Sequence, residues 1–152
     1  MKATWIIALC GSLAIGGATA VTAADEPAQI LKYRQNVMKS VGDNIGNIAM
    51  VAKGEVTFVG NVAANARAIR DGLQMAVPLF PEGTGKEAGK TRALPSIWQD
   101  NAKFVEAMKA SQAAAENMVA AAETNDLSQI QQALGALGKT CGGCHDNFRE
   151  KQ

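Results

Sequence analysis

The sequence predicts an all-α protein, and more particularly an antiparallel four-helix bundle. Four stretches of the chain repeat apolar residues at intervals of three and four, which is the period of one face of an α-helix. No alternation of apolar and polar residues persists long enough to indicate a strand. Two of the three links between the four stretches are short and one is long, which suits a bundle of antiparallel neighbours.

The N-terminus has the pattern of a secretory signal peptide at residues 1–23. A single basic residue, Lys2, precedes an apolar run, and small residues then offer cleavage sites ending at Ala20 or Ala23. The competing interpretation, a transmembrane anchor, is weaker because the run is shorter than the ~20 apolar residues that a span needs. Cleavage after Ala23 predicts a mature domain at 24–152, located in the periplasm, with no membrane anchor.

Charge and cysteine content narrow the functions further. Lys2 leaves with the signal peptide, so 14 of the 15 basic residues remain against 14 acidic ones. A neutral chain without a basic stripe predicts no binding to nucleic acid. Cys10 also leaves, so two of the three cysteines remain in an oxidising compartment, where a pair ordinarily forms a disulfide.

The first two helices are predicted at about 27–52 and 57–77. The first has a proline in its first turn, and the second stops before Pro78. The face of the first helix includes an arginine and a methionine among its apolar residues; its members are Leu31, Arg34, Met38, Val41, Ile45, Ile48 and Ala52.

A loop rich in proline and glycine, 78–94, separates these helices from the other two, predicted at 95–123 and 127–150. The last helix contains four glycines, Gly135, Gly138, Gly142 and Gly143. Each costs about 1 kcal/mol relative to alanine inside a helix. A bulky group lying against that helix would explain them, and a frayed or broken last helix is the alternative.

The sequence C-G-G-C-H at 141–145 predicts covalent attachment of haem c near the C-terminal end of the last helix. On a helix, residues three and four apart share one side, so Cys141 and Cys144 can bond the two haem vinyl groups while His145 reaches the iron. A thioredoxin-like motif would need a strand before the helix. A zinc site would need a fourth ligand, and a disulfide would leave the position of His145 to chance.

His145 is the only histidine in the chain, so the sixth iron ligand is a methionine, a weaker donor or nothing. In an up-and-down bundle, the first helix starts at the end where the last helix finishes. Met38 lies about eleven residues, or ~16 Å, into the first helix, which places it at the level of His145. Met38 is therefore the predicted sixth ligand, and the alternative is that it only fills the core.

Four further residues are predicted near the haem. Arg34 lies one turn before Met38 on the same face, where a haem propionate would satisfy it, unless its head reaches water instead. Arg149 lies four residues after His145 on the proximal side, or it caps the helix end. Trp98 and Phe148 are at the same level of the bundle, as walls of the haem pocket or as ordinary core residues.

Together these residues resemble the class II c-type cytochromes, the group of cytochromes c′ and their methionine-ligated c-556-type relatives. The resemblance covers the mature chain through "LKYRQNVMKSVG", "PLFPEGTG", "LPSIW" and "CGGCHDNFREK". It implies a four-helix bundle, haem c on the two cysteines with a proximal histidine, Arg34 and Gln35 near the propionates, and Met38 at the distal position.

Two functions follow from that distal position. If Met38 binds the iron, the chain is a periplasmic electron carrier that serves other periplasmic redox proteins. If the sixth position is empty, it is a five-coordinate protein that binds NO or CO. An enzyme is not expected, because no distal histidine exists for acid–base catalysis. The resemblance also implies a homodimer formed through the first two helices.

Overall fold

The computed structural model describes residues 25–151 and gives five α-helices in this range. Their bounds are α1 Pro27–Ala52, α2 Val62–Gln74, α3 Ser96–Gln99, α4 Asn101–Glu123 and α5 Leu127–Phe148. Short 3₁₀ turns lie in the loops at Val59–Asn61, Val77–Leu79 and Lys86–Ala88. The predicted signal peptide lies outside the described residues. Among the helices of this range, none is long and apolar enough to cross a membrane.

The predicted all-α four-helix bundle is confirmed, with α1, α2, α4 and α5 as its long helices. α1 packs against α2, α2 against α4, and α4 against α5, while α1 and α5 approach each other much less closely. Within residues 25–151, Ala93 and Arg149 form an isolated antiparallel β-bridge. The wide seam between α1 and α5 is the feature that makes room for a site.

Three predicted helix bounds are corrected by the structure. The second helix is shorter than 57–77, because 3₁₀ turns replace α-helix before Val62 and around Pro78. The third is broken at Asp100, which has a non-helical backbone (φ −126°, ψ 54°) and whose carboxylate accepts from Lys103 Nζ at 2.6 Å. The last helix stops at Phe148, because Arg149 is extended and pairs with the loop before α3.

The core is closed most tightly away from the α1–α5 seam. A Cβ at Gly72 of α2 would lie 2.7 Å from Val41 Cγ2 of α1, so these two helices approach closely only because a glycine is there. Alanines of α2 and α4 play a similar part, since Ala66, Ala115 and Ala122 are completely buried. The largest fully buried side chains are Phe104, Ile48, Ile69, Ile97, Met118, Ile130, Leu137, Val62 and Thr84.

The glycines of the last helix do not behave as expected. α5 runs unbroken through all four of them, so the alternative of a broken last helix is wrong. All four are exposed, and a Cβ built on any of them would meet no atom within 4 Å. None of them lines the cavity described below.

Candidate functional site

A cavity of about 1240 Å³ opens between α1, α4 and α5 at the end of the bundle where α5 finishes. This volume exceeds the ~300–1,000 Å³ usual for small-molecule pockets and leaves room for a large cofactor. Charged residues of the loop before α3 and of the chain after α5 lie along it. The apolar lining residues are Met38, Val41, Ile45, Leu73, Phe80, Ala93, Ile97, Phe104, Met108 and Phe148.

α5 presents Cys141, Cys144 and His145 to this cavity from a single helical turn, as the spacing predicted. Both thiols are free; Cys141 is half-buried and Cys144 is buried, while His145 keeps an exposed side. Two thiols able to add to vinyl groups and one imidazole able to ligate iron form the donor set that haem c requires. The residues present therefore fit that cofactor.

The surroundings shift the pKa values of all three groups. Burial raises the pKa of the Cys141 thiol, and burial together with Cys141 raises the pKa of Cys144 to about 11. Partial burial and then the positive charge of Arg92 lower the pKa of His145, against an opposing effect of Asp146. A lowered pKa favours the neutral imidazole, which is the form whose nitrogen lone pair can bind a metal.

α1 forms a wall of the cavity that faces α5 across the seam. Met38 is half-buried and lines the same cavity as Cys141, Cys144 and His145. Val41 and Ile45, one and two turns further on, make the wall apolar. Gln35 lines it one turn before Met38, and its Nε2 donates to the Lys90 carbonyl at 2.9 Å.

Arg34 lines the cavity but is 3% exposed, and protein oxygens surround its guanidinium. Its Nη1 donates to the Leu79 carbonyl at 3.0 Å and to Thr84 Oγ1 at 2.9 Å, and its Nη2 donates to the Thr84 carbonyl at 2.7 Å. The guanidinium carbon also lies 4.4 Å from the centre of the Phe80 ring. The alternative that the head reaches water is therefore wrong, and burial lowers the pKa of Arg34.

Trp98 does not line the cavity, which corrects its predicted role in cofactor binding. Its neighbour Ile97 takes the inward position on the single turn of α3. The Trp98 indole Nε1 instead donates to the carbonyls of Phe80 and Pro81, at 3.1 and 3.0 Å. The half-buried ring is thus an ordinary packing residue that fastens the long loop to α3.

Phe148 and Arg149 both line the cavity, as predicted. The Phe148 ring packs edge-on against Phe104 at 5.4 Å, which joins the end of α5 to α4. Arg149 is extended rather than helical, and the residues on either side of it are tied to the loop. The Leu94 amide donates to the Phe148 carbonyl, and the Glu150 amide donates to the Arg92 carbonyl at 2.8 Å.

Sequence reasoning missed two groups of lining residues. Met108 and Ser111 of α4 are buried in the wall, and the helical period of the segment 95–123 could have found the methionine. Lys86, Lys90 and Arg92 belong to the loop, where no helical period indicates which side chains point inward. Only the fold of the loop determines that these three side chains line the cavity.

A helical bundle whose last helix carries C-x-x-C-H into an internal cavity has the architecture of a class II c-type cytochrome. The family model described as Cytochrome C′ matches residues 29–149, so this chain belongs to the cytochrome c′ family. The chain therefore binds covalent haem c, the cofactor that the motif predicted.

Individual relatives agree with the family assignment. The chain is 36% identical over 149 residues to cytochrome c′ of Rhodospirillum rubrum, which covers 98% of this chain and 99% of the relative. A crystal structure of cytochrome c′ from Rubrivivax gelatinosus superposes with a TM-score of 0.77 at 31% identity, over 83% of this chain and 98% of that one. The nitric oxide complex of a variant cytochrome c′ from Alcaligenes xylosoxidans superposes with a TM-score of 0.75 at 29% identity, over 83% and 98%.

Proposed function

We propose that this protein binds a small diatomic gas, NO or CO, at a five-coordinate haem c. The observation that carries the proposal is the asymmetry of the cavity: α5 contributes an imidazole, while α1 contributes Met38, Val41 and Ile45 together with donors that are engaged elsewhere. A small uncharged ligand needs no hydrogen-bond donor to enter such a space. The nitric oxide complex of the Alcaligenes xylosoxidans relative, which has the same fold, supports the same conclusion.

In this proposal the residues of the chain divide the work. Cys141 and Cys144 would hold haem c through thioethers, and neutral His145 would ligate its iron. The haem, when bound, would supply an iron atom able to bind a diatomic gas. Met38, Val41 and Ile45 exclude water from the opposite side and limit the size of a ligand there. Phe148, four residues after Cys144, packs on Phe104 and keeps the end of α5 in place.

A second candidate keeps Met38 as the sixth ligand and makes the protein an electron carrier. The observation in its favour is that Met38 lines the cavity on the wall opposite His145. Thioether ligation would hold the coordination unchanged between oxidation states and raise the reduction potential. The similarity to cytochromes c′, one of them in complex with nitric oxide, favours the open position over this candidate.

The two candidates are separated by absorption spectra of the ferric and ferrous holoprotein and of Met38→Ala. Met50→Ala is the matched control, because Met50 also lies on α1 but is exposed and remote from the cavity. Gas binding predicts a high-spin ferric spectrum that Met38→Ala leaves in place, with CO binding faster in the variant because the wall is less bulky. A low-spin spectrum that becomes high-spin in Met38→Ala alone would establish methionine ligation instead.

We further propose that the mature, non-enzymatic domain is 24–152 and that it acts in the periplasm. The support is the signal-like pattern of 1–23 and the lack of a second histidine for proton transfer. Its partners in this proposal are other periplasmic redox proteins and a second copy of the chain. The mass and N-terminal sequence of protein from the periplasmic fraction test the cleavage, and sedimentation tests the dimer.

A further inference from the structure

The glycines of α5 are not required by the packing of that helix. All four, Gly135, Gly138, Gly142 and Gly143, are exposed, and a Cβ built on any of them meets no atom within 4 Å. None of them lines the cavity. Alanine would therefore fit at each position, and each glycine shifts the equilibrium between closed and open helix towards the open form by about fivefold relative to alanine.

The helices α2 and α4 are built differently. Gly72 is the only glycine in these two helices, and it is buried where α2 approaches Val41 of α1. Their exposed small side chains are all alanines, namely Ala64, Ala68, Ala102, Ala110, Ala113 and Ala120. The chain therefore has alanine at such positions in α2 and α4, and the exposed glycines of α5 are a property of that helix rather than of the overall composition.

α5 is also less firmly anchored in the core than its neighbour α4. Eight of the 23 residues of α4 are buried, but only four of the 22 residues of α5 are. Between Gly135 and Gly143 the one buried side chain is Leu137. Because helices in proteins are stabilised mainly by the burial of one face, this stretch has little to hold it in place. The start of α5 is better fixed, since Gln131 Nε2 donates to the Ala52 carbonyl at 2.7 Å.

In the folded chain the loop closes the seam between α1 and α5 at the cavity end. Backbone carbonyls of the loop segment 90–93 accept from the Gln35 side chain of α1 on one side and from the Glu150 amide, just after α5, on the other. Behind this closure, Cys144 is only 8% exposed. Release of the end of α5 from the bundle would undo the closure and expose both thiols.

We propose that α5 opens as a unit from Gly135 to Phe148 while α2 and α4 stay folded, and that its exposed glycines keep this opening frequent enough for haem to reach Cys141 and Cys144. Segments of a native protein open in this way more often than the whole molecule unfolds. Each exposed thiol then adds across one haem vinyl group: a C–S and a C–H bond replace the S–H bond and the π bond, and no oxidant, reductant or leaving group takes part. The proposal rests on the haem c assignment and is independent of gas binding.

The first test follows haem attachment to the full chain in cells by pulse labelling and intact mass, which separates chains with and without haem. Gly138→Ala should slow attachment about fivefold, and Gly135→Ala/Gly138→Ala should slow it further. Gly46→Ala is the matched control, because Gly46 is an exposed glycine of α1 with no atom within 4 Å of its built Cβ and no part in the cavity lining. Attachment at the unmutated rate in the double variant would overturn the proposal, and so would an equal slowing in Gly46→Ala.

The second test measures the opening itself by native-state hydrogen exchange of the holoprotein. Amides of 135–148 should exchange through an opening more frequent than that of α4 in the same molecule. Gly138→Ala should lower the opening constant of 135–148 about fivefold, whereas Gly46→Ala should leave it unchanged. Equal opening constants for α4 and α5 that fall together in both variants would show that only global unfolding occurs, which contradicts the proposal. Neither test depends on the sixth iron ligand, so failure of gas binding is distinguishable from failure of this proposal.

Discussion

At the end of the bundle where α1 and α4 finish, the helices meet through small and aliphatic side chains that are almost completely buried. Ile48, Val62, Ala122 and Ile130 each have no exposed surface there. At the opposite end, α1 and α5 separate around the cavity, and polar contacts tie the loop to α1 and to the end of α5. The chain completes its own core at the first end and leaves the second end to be filled by its cofactor.

The difference shows how one fold divides stability from function. Close-packed aliphatic side chains at the far end hold the four helices together without any ligand. At the cavity end, the Arg34 and Trp98 side chains fasten the loop by hydrogen bonds to its carbonyls. Those bonds keep a wall of the site in position without filling the space that the cofactor needs.

The largest expected effect comes from removing both attachment points. In Cys141→Ala/Cys144→Ala, haem should become extractable by acidified organic solvent, because no thioether remains. Loss of the cofactor leaves the cavity end open to water, and we expect the free energy of unfolding to fall by about 5 kcal/mol or more. Each single variant is the control, since one thioether should still retain the haem. Haem that resists extraction from the double variant would contradict the attachment.

A core substitution at the far end should cost stability without touching the site. Met118 of α4 is completely buried and does not line the cavity. Met118→Ala is expected to lower the free energy of unfolding by about 2–5 kcal/mol, as buried large-to-small changes do. Denaturant titration measures that loss, and the absorption spectrum should be that of the unmutated protein. A changed spectrum would mean that the two ends are coupled.

The same substitution ten residues earlier should do the reverse. Met108 of α4 is also buried but lines the cavity, so the space that Met108→Ala creates joins an existing cavity. We expect a smaller loss of stability, about 1–3 kcal/mol, together with an altered rate of CO binding. Equal losses for Met108→Ala and Met118→Ala, with unaltered CO kinetics, would remove the distinction between the two ends.

Trp98→Phe tests a polar contact that supports the loop from outside the cavity. The variant keeps an aromatic ring but loses the N–H that donates to the carbonyls of Phe80 and Pro81. The expected cost is about 1 kcal/mol in thermal or denaturant unfolding, the usual contribution of such a hydrogen bond. The haem spectrum of the variant should equal that of the unmutated protein. A shifted spectrum would indicate that Trp98 does contact the haem pocket.

The smallest effect is expected from acid at the far end. Asp126 caps α5, and hydrogen bonds from the Gln129 side chain, the Gln129 amide and the Ser128 amide lower the pKa of its carboxyl. Because the folded pKa lies below the unfolded value of about 3.9, this stabilisation is complete above that pH and is lost as the pH falls through the folded pKa. In Asp126→Asn the cap keeps an acceptor oxygen, so its acid step should vanish. If the loss of stability at acid pH persists in Asp126→Asn, it arises from the protonation of another carboxyl group.

Sequence reasoning succeeded where one helix carries the whole argument. The inward placement of Met38 followed from the period of α1, and the shared face of Cys141 and His145 followed from their spacing on α5. It failed where the chain leaves a helix. On the single turn of α3, Ile97 rather than Trp98 lines the cavity, and no helical period could show that Arg92 lines it.

The sequence by itself determined the helices, the cofactor and the end of the chain that carries it, because these depend on residues within a few positions of one another. Only the tertiary structure decided the acceptors of Arg34, two of which lie on Thr84, 50 positions away. The packing of α1 against the loop brings these two residues together. Such distant pairings decide which cations remain available to contact the cofactor. A local sequence pattern cannot show these pairings.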